Sequence, residues 1–158
     1  MRSRPDGTWE RVSVDLRPPS WLGKPRSELE ARLRRAHPDW SDEGIEGSLA
    51  NFEVLPDGTI RPWLSVERHM EIVRSLWEHG SSALYPSISV PVLICPASDG
   101  SGDRLARKRE SVAAAESALF RSRVHWFENT AHDIHVHRPD ALADLMLAAL
   151  ADGFYRTG

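Results

Sequence analysis

The sequence predicts an α/β fold: a helical segment over residues 1–86, then a β-α-β-α unit with two parallel strands over residues 87–158. Three observations carry that prediction. Apolar residues recur at helical spacing through most of the first segment. Val90-Pro-Val-Leu-Ile-Cys95 is a continuous apolar run, the pattern of a strand buried on both faces. A helical stretch separates it from a second short strand at Arg123–Phe127, and a last helix follows.

The elements read in order as follows. Pro5, Gly7, Pro18, Pro19 and Gly23 make residues 1–24 mostly irregular, with a short helical turn around Trp9–Leu16. Ser27-Glu-Leu-Glu30 has the form of a capping box, with Ser27 as N-cap and Glu30 reaching back. Leu29, Leu33 and Ala36 follow on one helical face, and Pro38 ends the helix. Ser41-Asp-Glu opens a second helix with Ile45, Leu49 and Phe52 inward, and Leu55-Pro-Asp-Gly58 is a turn. Ser65 caps a third helix, in which Val66, Met70, Val73, Leu76 and Trp77 keep the helical period.

Gly80–Pro86 is a connector, and the pattern changes after it. Beyond the Val90–Cys95 strand, Asp103–Phe120 reads as a helix with Leu105, Val112, Ala115 and Leu119 inward. After the strand at Arg123–Phe127, Pro139 takes the first position of the last helix, with Leu142, Leu145, Met146 and Leu150 as its buried stripe. A strand-helix-strand connection makes the two strands parallel neighbours. Two strands leave a fully apolar strand with a naked edge. Either the chain forms a homodimer through that edge, or it completes a larger sheet.

Composition narrows the function classes. A hydrophobic fraction of 41% and a charged fraction of 27% are those of an ordinary globular protein, so a packed core is expected rather than disorder. A net charge of −3 gives no general pull toward nucleic acid or anionic membrane. No stretch approaches the roughly 20 apolar residues of a membrane helix. The N-terminus has no apolar core behind its charges and does not read as a secretory signal. The one cysteine, Cys95, excludes an intrachain disulfide framework and suits a cytoplasmic location.

The chemistry gathers at the strand ends. Asp99 follows the first strand and His132 follows the second. In an open parallel sheet, ligands collect outside the carboxyl ends of the strands. A carboxylate that orients an imidazole, which in turn takes a proton from a nucleophile, is the logic of a hydrolytic triad. Asp99 can also simply open a turn with Gly100. Asp103 is the fallback acid, although capping the next helix suits it better.

Pro91-Val-Leu-Ile-Cys-Pro-Ala-Ser-Asp99 together with Ala131-His-Asp-Ile-His-Val-His-Arg-Pro139 resembles the C-terminal half of the α/β-hydrolase family. The resemblance is specific over residues 90–140 and loose before that. It implies that Asp99 is the triad acid, His132 the catalytic histidine, residues 1–86 a helical cap and residues 87–158 the end of the core. Chain order in that family is nucleophile, acid, histidine, and here acid precedes histidine. Ala97 and Ala131 stand where the family often has glycine. No G-x-S-x-G occurs: Gly47-Ser48 lies in a predicted helix, and Gly100-Ser101-Gly102 lies beside the acid. The nucleophile-bearing half is absent from these residues.

The resemblance implies hydrolysis of an ester, amide or similar bond of a small-molecule substrate. The nucleophile is left open among Ser, Asp and Cys, because haloalkane and epoxide hydrolases of this fold use a carboxylate. Alone, the chain is expected to be inactive, since acid and histidine without nucleophile and oxyanion donors lose most of the rate. The alternatives are a non-catalytic assembly module that pairs through its open edge, and a truncated reading frame whose missing half lies upstream.

Other patterns carry weaker chemistry. His132, His135 and His137 make H-x-x-H-x-H, a spacing that could suggest zinc. With His132 committed to catalysis and the others as polar surface or capping residues, neither metal nor cofactor is expected. Arg104, Arg107, Lys108 and Arg109 read as a solvated helix face, so neither nucleic acid nor membrane is an expected partner. Trp9, Trp21, Trp40, Trp63 and Trp77 either line a pocket for an apolar substrate or form the core of the helical segment.

Overall fold

The computed structural model describes residues 8–98 and 102–156. It falls into two compact units, divided between Gly80 and Ser81.

The first unit contains α1 (Trp9–Asp15), β1 (Lys24–Pro25), α2 (Arg26–Ala36), α3 (Asp42–Leu49), β2 (Phe52–Val54), β3 (Thr59–Pro62) and α4 (Val66–Glu78). The four helices fall close to the stretches that carried helical periodicity. The sheet is a correction to a purely helical reading. Its strands run antiparallel in the order β1-β3-β2, with Phe52 opposite Pro62 and Lys24 opposite Ile60. Phe52 therefore belongs to a strand and not to the face of α3.

The turn explains the hairpin. The Leu55 amide donates to the Thr59 carbonyl at 2.8 Å, and Asp57 Oδ1 accepts both the amide and the hydroxyl of Thr59. Gly58 turns the chain at φ +80°, a conformation that costs a side-chain-bearing residue far more. Ile60 is then fully buried, as are Leu29, Ile45 and Leu49 apart from a few per cent.

The capping box at Ser27 does not form. The N-cap of α2 is Pro25, without a side-chain bond, and the Arg26 amide donates to the Gly58 carbonyl. Glu30 instead pairs with Arg26 at 3.3 Å and Arg34 at 3.1 Å. Arg26 and Arg34 also reach Glu46 and Asp42, which ties α2 to α3. The caps at Ser41 and Ser65 do form: each hydroxyl accepts the amide three residues on. In α4 the half-buried face is Val66, Met70, Val73 and Trp77, whereas Leu76 is 70% exposed.

The second unit begins with two 3-10 turns, Ser81–Ala83 and Tyr85–Ser87. Then come β4 (Val92–Ile94), β5 (Ala97–Ser98), α5 (Asp103–Ala118), β6 (Ser122–Val124), β7 (Phe127–Glu128), α6 (Ile134–His137) and α7 (Pro139–Ala151). β4 pairs with β6 and β5 with β7, both parallel. The two pairs share one register, from Val92 opposite Ser122 to Ser98 opposite Glu128. Pro96 explains the break between them, because it has no N–H to give to the ladder. The ladder resumes at once, with the Phe127 amide on the Pro96 carbonyl at 2.9 Å.

β4 is half-buried along its length rather than buried on both faces. Among the described residues its only partner strand is β6. The bonds from the Val92 amide to Arg121 and from the His125 amide to the Ile94 carbonyl fix which groups face β6. By alternation, the amide and carbonyl of Leu93 face the open side. At β5, Lys108 Nζ donates to the outward carbonyl of Ala97 at 2.6 Å.

α5 keeps the expected inward face, with Ala115 buried and Leu105, Val112 and Leu119 half-buried. Pro139 does open α7. Its inward stripe is Leu142, Leu145 and Ala149, while Met146 is 49% and Leu150 58% exposed. No helix among the described residues is long and apolar enough to cross a membrane.

Candidate active site

Ala97, Phe127 and Ile134 form a buried cluster, with Cys95, Leu142 and Leu145 packed against it. This apolar floor anchors the ends of β5 and β7 and the start of α6. Polar groups at its edge are satisfied, as burial requires. Ser98 and Thr130 are each only 2% exposed. The Thr130 amide donates to the Ser98 carbonyl at 2.9 Å, and Thr130 Oγ1 donates to the Glu128 carbonyl at 3.0 Å.

Asn129 turns the chain between β7 and Thr130 at φ +52°. Asparagine is among the residues that accept this left-handed conformation most readily. Three bonds donated by backbone amides then hold the segment around His132. The first is the Thr130 amide on Ser98. In the second, the Ala131 amide donates to His137 Nδ1 at 3.0 Å. In the third, the Ile134 amide donates to the His132 carbonyl at 3.0 Å, across Asp133 at φ −85°, ψ 71°. Those angles are close to an inverse γ-turn. The imidazole of His132 projects from this braced loop and is exposed.

Asp99, the expected acid, lies outside the described residues, as do Gly100 and Ser101. Its predecessor Ser98 is described and is bonded to the His132 segment. Asp103 is not an N-cap. Gly102 holds that position at φ +85° without a side-chain bond, and Asp103 is the first residue of α5. There its carboxylate favours the positive end of the helix dipole. Gly47 and Ser48 lie within α3, so no nucleophile turn occurs at that pair.

Two of the four basic residues on α5 contact groups outside the helix. Lys108 holds the Ala97 carbonyl. Arg109 approaches Glu128 at 3.8 Å and stands 5.7 Å from the centre of the Trp126 ring. Among the described residues, no group of three His, Cys, Asp or Glu side chains is arranged to hold a metal ion. Burial pushes the Cys95 thiol up from its ordinary pKa, which leaves it in the unreactive protonated form.

Sequence reasoning reads His137 as a polar surface or capping residue, whereas its Nδ1 accepts the Ala131 amide. Its bond to an amide six residues earlier follows no sequence pattern. The tryptophans divide as well. Trp40 is buried and stacks on His37 with ring centres 3.8 Å apart. Trp63 is exposed, donates Nε1–H to the Ala50 carbonyl, and lines a cleft of about 480 Å³ with Leu22, Arg61, Val66 and Glu67. That cleft lies within the first unit, whereas the His132 loop belongs to the second.

No protein-family model matches the sequence, and no curated protein matches it. Solved structures do resemble it. E-2-(acetamidomethylene)succinate hydrolase superposes with a TM-score of 0.70 at 17% identity, over 90% of this chain and 51% of that one. A thioesterase domain from the curacin biosynthetic pathway superposes with a TM-score of 0.56 at 18% identity, over 94% of this chain and 54% of that one. Both are α/β-hydrolase-fold proteins. The chain therefore has a partial α/β-hydrolase fold, and it spans about half the length of each of these structures.

Proposed function

We propose, for a chain that carries part of an α/β-hydrolase fold, that it supplies the acid and the histidine of a hydrolytic triad. Asp99 orients the His132 imidazole and stabilises its charged form. His132 takes the proton of a nucleophile as general base and returns it to the leaving group as general acid. The bond cleaved is an ester or similar bond of a small molecule. The nucleophile and oxyanion donors come from polypeptide other than these 158 residues, and residues 1–86 are the cap segment. A cytoplasmic location fits the free, protonated Cys95 thiol. The observation that most supports this reading is the Thr130 amide on the Ser98 carbonyl, one residue before Asp99 and two before His132.

The test combines an aryl-ester assay with a serine-reactive phosphonate probe, applied to the purified 158-residue chain. The expected result is neither turnover nor labelling. Robust turnover that His132→Ala abolishes would overturn the assignment of the nucleophile to other polypeptide.

The open side of β4 supports a second reading, a non-catalytic assembly module. The Leu93 amide and carbonyl face away from β6 and suit a further strand. Association without any hydrolytic activity after addition of the complementary half of such a fold would favour it.

A further inference from the structure

We infer that His137 is a positioning residue for the His132 loop, an inference that rests on the reading of His132 as the base. His137 Nδ1 accepts the Ala131 amide at 3.0 Å. A ring nitrogen that accepts an N–H carries no proton itself, so the imidazole is neutral with its proton on Nε2. The backbone amide of His137 donates to the Asp133 carbonyl at 3.0 Å, so its own main chain is held by α6. Its side chain then closes a ring of chain that runs from Ala131 through His132 and Ile134 back to His137. Ile134, buried in the apolar cluster, anchors the far side of that ring.

The position of this bond gives it leverage. Ala131 directly precedes His132, so the plane of the peptide joining them sets where the His132 side chain starts. The Thr130 amide upstream and the His132 carbonyl downstream are each bonded to a backbone group. The Ala131 amide is held by a side chain, that of His137. A half-buried amide that loses its partner must turn toward water or remain unsatisfied. Either response moves the base.

The test uses the full 158-residue chain, labelled with ¹⁵N, at neutral pH. Long-range ¹⁵N–¹H spectra should show His137 as the Nε2–H tautomer. Amide exchange at Ala131 should accelerate about tenfold in His137→Ala, with a shift of the His132 ring signals. His137→Asn should restore both, because its Oδ1 stands close to where Nδ1 was and also accepts. A proton on Nδ1 in the unsubstituted chain would overturn the inference. So would equal Ala131 exchange in the unsubstituted chain and His137→Ala, or identical behaviour of the Ala and Asn variants. If His137→Ala fails to fold, the tautomer and the Asn variant decide. None of these readouts involves turnover, so they stand whether or not His132 performs the proposed chemistry.

Discussion

The Thr130 amide donates to the Ser98 carbonyl at 2.9 Å, and this bond fastens the backbone leading to His132 to the backbone leading to Asp99. It continues a parallel ladder that runs in one register from Val92 to Ser98 despite the gap at Pro96. An open parallel sheet gathers its chemistry just beyond such strand ends. The hydroxyl of Thr130 supports the same point through the Glu128 carbonyl. Thr130→Val keeps the shape and leaves that carbonyl without its donor. The expected cost is about 1–2 kcal/mol, measured by urea unfolding. An unchanged midpoint and slope would show that the hydroxyl does not stabilise the corner.

Asn129 holds a positive φ where the chain leaves β7. Asn129→Gly should be neutral or mildly stabilising, because glycine reaches this region at no steric cost. Asn129→Val should destabilise by roughly 1–2 kcal/mol. Thermal melting of the two variants checks the order, and a valine variant as stable as the glycine variant would contradict it.

Asp152 follows α7 and accepts from Arg123 at 2.7 Å and from the Phe154 amide at 2.9 Å. The Arg123 hydrogen bond holds its carboxyl below the ordinary pKa. A depressed folded-state pKa means stability that is fully present above the unfolded value, near 3.9, and lost as pH falls through the lower folded value. Asp152→Asn should therefore be less stable at neutral pH, and the gap should narrow below about pH 4. Unfolding measured across pH reads this directly; a gap that stays constant into acid would reject the linkage.

The open side of β4 makes a prediction about association. Leu93→Pro removes an amide that faces away from β6, so the β4–β6 ladder survives. It should abolish any concentration-dependent association seen in sedimentation velocity while the far-ultraviolet circular dichroism stays the same. Lys108→Met should do the opposite, because it frees the Ala97 carbonyl that Lys108 now occupies. Association indifferent to both changes would place the contact elsewhere.

The parts of this molecule legible in the sequence were those with strong local signals. Ser41 and Ser65 caps, Pro139 at the start of α7 and the apolar run at Val92–Ile94 each leave a local mark. The sheet of the first unit was not legible, since strands of two to four residues are too short for alternation to show. Leu55–Gly58 read correctly as a turn, yet a turn does not reveal that the arms on either side pair. Met146 and Leu150 look as apolar as Leu142, and periodicity alone could not tell which side of α7 the sheet occupies. His137 read as surface or cap for a different reason: its bond is a side chain meeting an amide six residues away.

The central claim is that Asp99 orients His132, and the protonation of the His132 ring tests it most directly. In long-range ¹⁵N–¹H spectra of the 158-residue chain, an acid that orients His132 predicts a ring proton on Nδ1. Asp99→Asn should disturb that tautomer. A His132 ring whose signals are the same with Asp99 and with Asn at that position would contradict the account.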